Sequence, residues 1–180
     1  YNWVDSKTLE FDLRKGVTFH NGEKFDADDV VYTLTYISNP ENGAKPARNV
    51  NWWDSAEKLG DYKVRLNLTK EFPAALEFLS GPIVMYPNEY YAEVGPEGMA
   101  MKPVGTGPYA VTSVEPGKRY KFKKNDNYHA SSPKGQANIG NIVIRTIAES
   151  NTQLAEMFSG GVDWIWKVKP DQAQRISAQD

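Results

Sequence analysis

The residues best suited to contact a solute lie in one turn-rich stretch. Asn49, Asn51, Trp52 and Trp53 place amide groups beside flat indole rings. Amides both donate and accept, so they can pair with a peptide backbone or a sugar hydroxyl. Indoles supply rigid contact area. Trp164 and Trp166 form a second pair at strand spacing. These six are the candidate ligand-binding residues; the competing reading of Trp52 and Trp53 is that they anchor a core.

Residue patterns for bond-breaking chemistry are weaker. His20 and His129 are the only histidines, and neither has metal-ligand spacing. His20 precedes a turn and His129 sits in a polar loop, so both read as surface or turn residues. Asp26, Asp28 and Asp29 lack the calcium-loop spacing and its closing glutamate, and helix capping explains all three. Gly105-Thr106-Gly107-Pro108 falls short of both phosphate-binding fingerprints; its glycines are expected to permit a close backbone crossing. Ser150 and Ser159 have no base partner, and no nucleophile-elbow motif is present. The reading is therefore no catalytic residue, no metal and no cofactor. Two alternatives stay open. One is a carbohydrate-active hydrolase with paired carboxylates, for which Asp163 and Glu149 are candidates with simpler strand-end and turn readings. The other is a structural or sensor module without a small ligand.

Composition narrows the class. A chain of 180 residues can bury one core, or one core and a satellite. The net charge of −2 gives no reason to expect nucleic acid or an anionic membrane as partner. The basic run Lys118, Arg119, Lys121, Lys123 and Lys124 alternates with apolar residues and reads as a solvated strand face. There is no cysteine and no apolar run of ~20 residues, the length a membrane-crossing helix needs. The chain opens close to a strand and ends inside a helical pattern, which reads as a piece of something longer.

The elements that must position these residues follow from periodicity. Leu9, Phe11 and Leu13 alternate with charged residues as in a half-buried strand. Val17 and Phe19 begin a second strand, with Asn21-Gly22 as a type I′ turn. Asp26 caps a helix with Asp28 and Asp29 in its first turn, Phe25 and Val30 as a hydrophobic staple, and Val30, Val31, Leu34 and Ile37 as its buried stripe. Residues 39–51 read as a loop, and after Trp52-Trp53 a charged helix-like piece runs to Leu59. Tyr62, Val64, Leu66 and Leu68 mark a strand, and Pro73 to Leu79 a helix. Asn88 caps a short helix, Glu89 to Glu93, and residues 95–108 form a Gly/Pro-rich crossing. Tyr109–Val114 and Arg119–Asn125 form a hairpin. Ile139–Ile147 is apolar enough for a central strand. Ser150 with Gln153 suggests a capping box, Gly160-Gly161 ends that helix, and Val162–Val168 alternates as a strand, giving a βαβ unit.

Three of these stretches carry a family resemblance. FDLRKGVTFHNGEKFDADDVVYTL, PVGTGPYAVTSVEPGKRYKFKKNDNY and IAESNTQLAEMFSGGVDW resemble, in this order, characteristic segments of the extracytoplasmic solute-binding proteins of ABC importers. The type is the large dipeptide/oligopeptide/nickel-binding group, family 5. The resemblance implies an α/β (mixed α+β) fold: one periplasmic-binding-protein-like lobe, a mixed sheet with flanking helices plus a small inserted subdomain. It implies that residues 1–38 and 101–168 form the main part of lobe one, that 39–100 are the inserted subdomain, and that 169–180 start the crossing to a second lobe. The hinge falls near Val162 to Lys169, beside Trp164 and Trp166. Further implied are a small solute (peptide, opine, oligosaccharide or nickel chelate), an inner-membrane ABC permease as partner, and a periplasmic or cell-surface location. Strands from outside this stretch are missing by the same comparison, so an incomplete sheet with exposed surface, able to self-associate, is expected.

Overall fold

The computed structural model describes residues 1–43 and 46–177. Ala44 and Lys45 of the expected loop, and the last three residues of the expected crossing, lie outside that range. Two antiparallel sheets organise the chain. The first contains β1 (Asn2–Asp5), β2 (Thr8–Asp12), β3 (Trp53–Gly60) and β4 (Lys63–Leu68) in the order β1-β2-β4-β3. The second is β5 (Tyr109–Glu115), β6 (Arg119–Lys124) and β7 (Asn141–Arg145) in sequence order.

Helix α1 (Ala27–Ser38) lies on the first sheet. Its start follows from its sequence. The Asp26 carboxylate accepts from the Asp28 amide at 2.8 Å, and Asp29 reaches back to the Asp26 amide at 2.9 Å. This is a reciprocal capping box. Val30 and Leu34 are buried, with Val31, Ile37 and Phe25 packed against the same core. That core also takes Leu9, Val64, Leu66 and Leu68 from the alternating strands. On the opposite face of the sheet Glu10 pairs with Lys63 at 2.8 Å and Arg65 at 2.6 Å. The two cations hold its carboxyl below the usual range.

Several expectations are corrected. Only Gly22 of the Asn21-Gly22 pair has positive φ, 93°. The Gly22 amide bonds to the Phe19 carbonyl and the Phe19 amide to the Glu23 carbonyl, so the turn carries its left-handed residue one position later than a type I′ turn would. The second strand there shrinks to one bridge, Thr18 to Lys24. The piece after Trp53 is strand β3, because pairing with β4 outweighs helix propensity. Since β2 pairs with β4, residues 1–38 share a core with residues 52–85. Helix α2 (Ala75–Ser80) precedes α3 (Asn88–Met101), which is longer than expected. Gly95 interrupts α3 at φ 65°, and Pro96 restarts it as a first-turn residue needing no amide partner.

The second sheet also departs from expectation. β7 is an edge strand, not a central one, and Val143 and Ile144 are exposed. Helix α4 (Ser150–Phe158) starts without a side-chain cap, and Gln153 donates instead to the Ile147 carbonyl at 2.6 Å. Arg145 ties β7 to α4 through Glu156 at 2.7 Å. Gly160 (φ 74°) ends α4, and a Cβ on Gly161 would meet the Glu156 carboxylate at 2.2 Å. Residues 162–168 form no strand and α5 (Pro170–Ser177) follows them. The βαβ unit is therefore incomplete: a strand needs a neighbour for its amides, and none lies beside that segment among the described residues.

α1 also carries two buried polar side chains that bond to backbone outside the helix. Asp29 accepts the Asn88 amide at 2.9 Å, and Thr33 accepts the Tyr86 amide at 2.9 Å. Burial pushes the Asp29 carboxyl above its ordinary value of 3.8, although two amides oppose the shift. We predict that Asp29→Ala destabilises the fold by about 2–4 kcal/mol, because two part-buried amides lose their acceptor; urea unfolding measures this. A raised carboxyl binds its proton more tightly in the folded state, so its contribution is greatest in acid and declines as pH rises from 3.8 through the raised value. The stability difference between wild type and Asp29→Asn should accordingly be larger at pH ~3 than at pH ~7.

Candidate functional site

The sequence candidates separate into two places. Trp52 and Trp53 are each 3% exposed. Their rings meet edge to face at 4.8 Å, and Phe72 covers Trp52 at 4.8 Å. The Trp53 indole donates to the Leu34 carbonyl of α1 at 3.3 Å, and the Trp52 indole to the Asn49 carbonyl at 2.9 Å. Both tryptophans are thus core anchors in this chain, with Asn49 half-buried and Asn51 exposed beside them. Trp164 and Trp166 are 71% and 66% exposed and pack on each other at 4.9 Å. Among the described residues no ring contact or hydrogen bond joins the two pairs.

A groove that the sequence reading missed lies between α3, the segment before it and the start of the second sheet. Its volume is about 520 Å³, within the range of small-ligand sites. The segment Val84-Met85-Tyr86 forms one side, Tyr91, Met99 and Ala100 of α3 the second, and Pro103-Val104-Gly105 with Val111 of β5 the third. His20 completes the lining. Among the described residues no aspartate, glutamate, lysine or arginine lines it. These residues are far apart in sequence, so no single window shows them; the run Ile83-Val84-Met85 beside Tyr86-Pro87 was the nearest signal.

Each wall is held by named contacts. Asp29 and Thr33 fix the backbone of residues 86–88 against α1. Four tyrosines lock α1 to α3: Tyr86 stacks on Tyr91 at 4.5 Å, and Tyr91 meets Tyr36 at 5.1 Å and Tyr32 at 6.2 Å. Burial, and then Tyr36, push the Tyr91 hydroxyl well above its ordinary range, so it stays a neutral phenol. His20 holds the third wall. Its amide donates to the Gly105 carbonyl at 2.9 Å, its Nδ1 accepts from the Gly105 amide at 3.3 Å, and its Nε2 lies 2.9 Å from the Gly107 carbonyl. His20 is therefore no simple turn residue. The glycines are not forced by crowding: a Cβ at Gly105 would lie 3.9 Å from the imidazole, and one at Gly107 would meet nothing within 4 Å.

The other chemical candidates have structural partners. His129 lies in the loop before β7, its Nδ1 3.5 Å from the Ser131 hydroxyl; burial, then Arg14, lowers its pKa. Asp26 and Asp29 are occupied by the cap, and Asp28 pairs with Lys58 at 2.8 Å. A second cavity of about 390 Å³ at the end of the second sheet has Glu115 as its one carboxylate, and Glu115 pairs with Arg119. Among the described residues no group of three or more His, Asp or Glu could hold a metal ion.

The model of the bacterial extracellular solute-binding proteins, family 5, matches residues 3–180. The chain belongs to this family. Among relatives of this family 5 chain, the glutathione-binding protein GsiB of Pectobacterium atrosepticum is 28% identical over 177 residues, covering 98% of this chain and 34% of that protein. The di/tripeptide-binding protein 3 of Pseudomonas aeruginosa is 30% identical over 146 residues, covering 69% and 27%. Among solved structures, MoaA from A. tumefaciens R10 in complex with mannopinic acid superposes with a TM-score of 0.86 at 26% identity, covering 99% of this chain and 36% of that one. NikA from Brucella suis in complex with Fe(III)-EDTA gives 0.80 at 29% identity, covering 99% and 36%. The fold is thus that of the periplasmic-binding-protein-like family 5 proteins, and this chain spans about a third of the length of the curated relatives it matches. No helix among the described residues is long and apolar enough to cross a membrane.

The two tryptophan pairs should respond differently to substitution. We predict that Trp52→Ala costs about 3–5 kcal/mol, as for other buried large-to-small changes in a packed core. Trp164→Ser with Trp166→Ser should change the unfolding midpoint little, within about 0.5 kcal/mol, yet remove most iodide-quenchable fluorescence. A large stability loss in the double variant would contradict the exposed placement.

Proposed function

We propose that this chain supplies one wall of the solute cleft in the substrate-binding component of an ABC importer. The supporting observation is the groove: concave, mostly apolar, lined by no charged side chain among the described residues and built from rigidly held segments. Such a surface suits an uncharged part of a solute; charged ends would be met elsewhere in the full protein. The comparisons favour a peptide-like or related small solute, since relatives are named for glutathione and di/tripeptides, and neighbours hold mannopinic acid or a metal chelate. The full-length protein would work outside the cytoplasmic membrane and deliver its solute to a membrane permease. Asn51, Trp164 and Trp166 are open to contact and enter this proposal as ligand-facing residues. Asn49, Trp52 and Trp53 would act from behind, by holding their loop.

Closure would be driven only by the excess affinity of the closed state for solute. Mass spectrometry of small molecules co-purifying with the full-length parent identifies the solute. With that solute, Ala100→Trp should fill the groove and weaken binding about tenfold or more by steric exclusion, with the unfolding midpoint little changed. Undiminished affinity would remove the groove from the cleft. The exposed Val143 and Ile144 of β7 support self-association of the isolated chain. Val143→Lys with Ile144→Lys should shift it toward monomer in sedimentation velocity.

A further inference from the structure

We propose that His20, as the neutral Nε2–H tautomer, is the positioning residue that fixes the second sheet against the first and so sets the width of the groove. The role in the groove rests on the solute-cleft reading above; the joint itself does not. Among the described residues three hydrogen bonds run between residues 1–85 and residues 103–177, and His20 is at one end of each.

The geometry dictates the proton. The Gly105 amide can only donate, so Nδ1 facing it at 3.3 Å must be the bare nitrogen. Nε2 then carries the hydrogen and donates to the Gly107 carbonyl at 2.9 Å. One planar ring thereby spans Gly105 to Gly107, and the His20 backbone adds the third bond, to the Gly105 carbonyl at 2.9 Å. A ring so held cannot rotate without losing two bonds at once. The clamped residue Gly105 and its neighbour Val104 line the groove, with Met85 and Met99 facing them from the other walls. Moving the clamp moves a wall.

Three measurements on the 180-residue chain test this. First, long-range ¹⁵N correlation of the wild-type imidazole should show Nε2 protonated and Nδ1 bare; the opposite tautomer overturns the proposal. Second, His20→Leu should speed exchange of the Gly105 amide by about tenfold, the size expected for one lost hydrogen bond, with Leu66 exchange unchanged. His20→Gln should restore protection, since its amide offers one acceptor and one donor in similar positions. If His20→Gln exchanges as fast as His20→Leu, or neither differs from wild type, the clamp is wrong. Third, the Met85 and Met99 methyl resonances should move in His20→Leu and return in His20→Gln; unmoved methyls would mean that the ring does not set the groove. Should His20→Leu fail to fold, the tautomer and the glutamine variant still decide. None of these readouts uses a solute, so a parent that binds no solute would defeat the functional reading and leave the clamp standing.

Discussion

Helix α1 can bury its inner face only because every polar group on that face has a partner. Val30 and Leu34 drive it onto the sheet, and burial of each such side chain contributes about 1.5–3 kcal/mol. Asp29 and Thr33 lie on the buried side too, where an unpaired carboxylate or hydroxyl would cost as much as an aliphatic contributes. The backbone of residues 86–88 removes that cost by donating its amides. The same bonds tie the segment after α2, and so the start of α3, to a fixed height on α1. One solvation requirement thereby sets the first wall of the groove.

The two sheets stand on different footings. The first has a closed core, with leucines, valines and both buried tryptophans packed under α1. The second ends in an edge strand, β7, with aliphatic side chains open to water. An exposed apolar edge of this kind ordinarily belongs to an interface. The chain spans about a third of the length of its curated relatives. The second sheet keeps its place through the α3 connection, the packing around the groove and the His20 bonds.

Charge is kept away from the groove. Glu10 with Lys63 and Arg65, Arg119 with Glu115, and Arg145 with Glu156 all pair on sheet faces or edges. The exposed Arg119–Glu115 pair adds little stability, and the carboxyls of all three clusters fall below the ordinary range because a cation sits beside each. The groove is left to aliphatic, thioether, phenol and imidazole groups. A surface of that composition offers shape and apolar area rather than charge.

Local chemistry was legible wherever it was decided locally. The Asp26 cap, the alternation of Val64, Leu66 and Leu68, the β5–β6 hairpin and the Gly160-Gly161 stop all depend on neighbours a few residues away, and the three family segments could be read beside them. The stretch after Trp53 was not legible, because its helix-forming residues take strand geometry only once β4 supplies hydrogen-bond partners. Nor was the fate of Trp52 and Trp53, since an indole in a loop is a ligand contact or a core anchor according to what folds over it. The groove and the His20 clamp join segments more than sixty residues apart. Such contacts are chosen by the packing of whole sheets, which no spacing along the chain encodes.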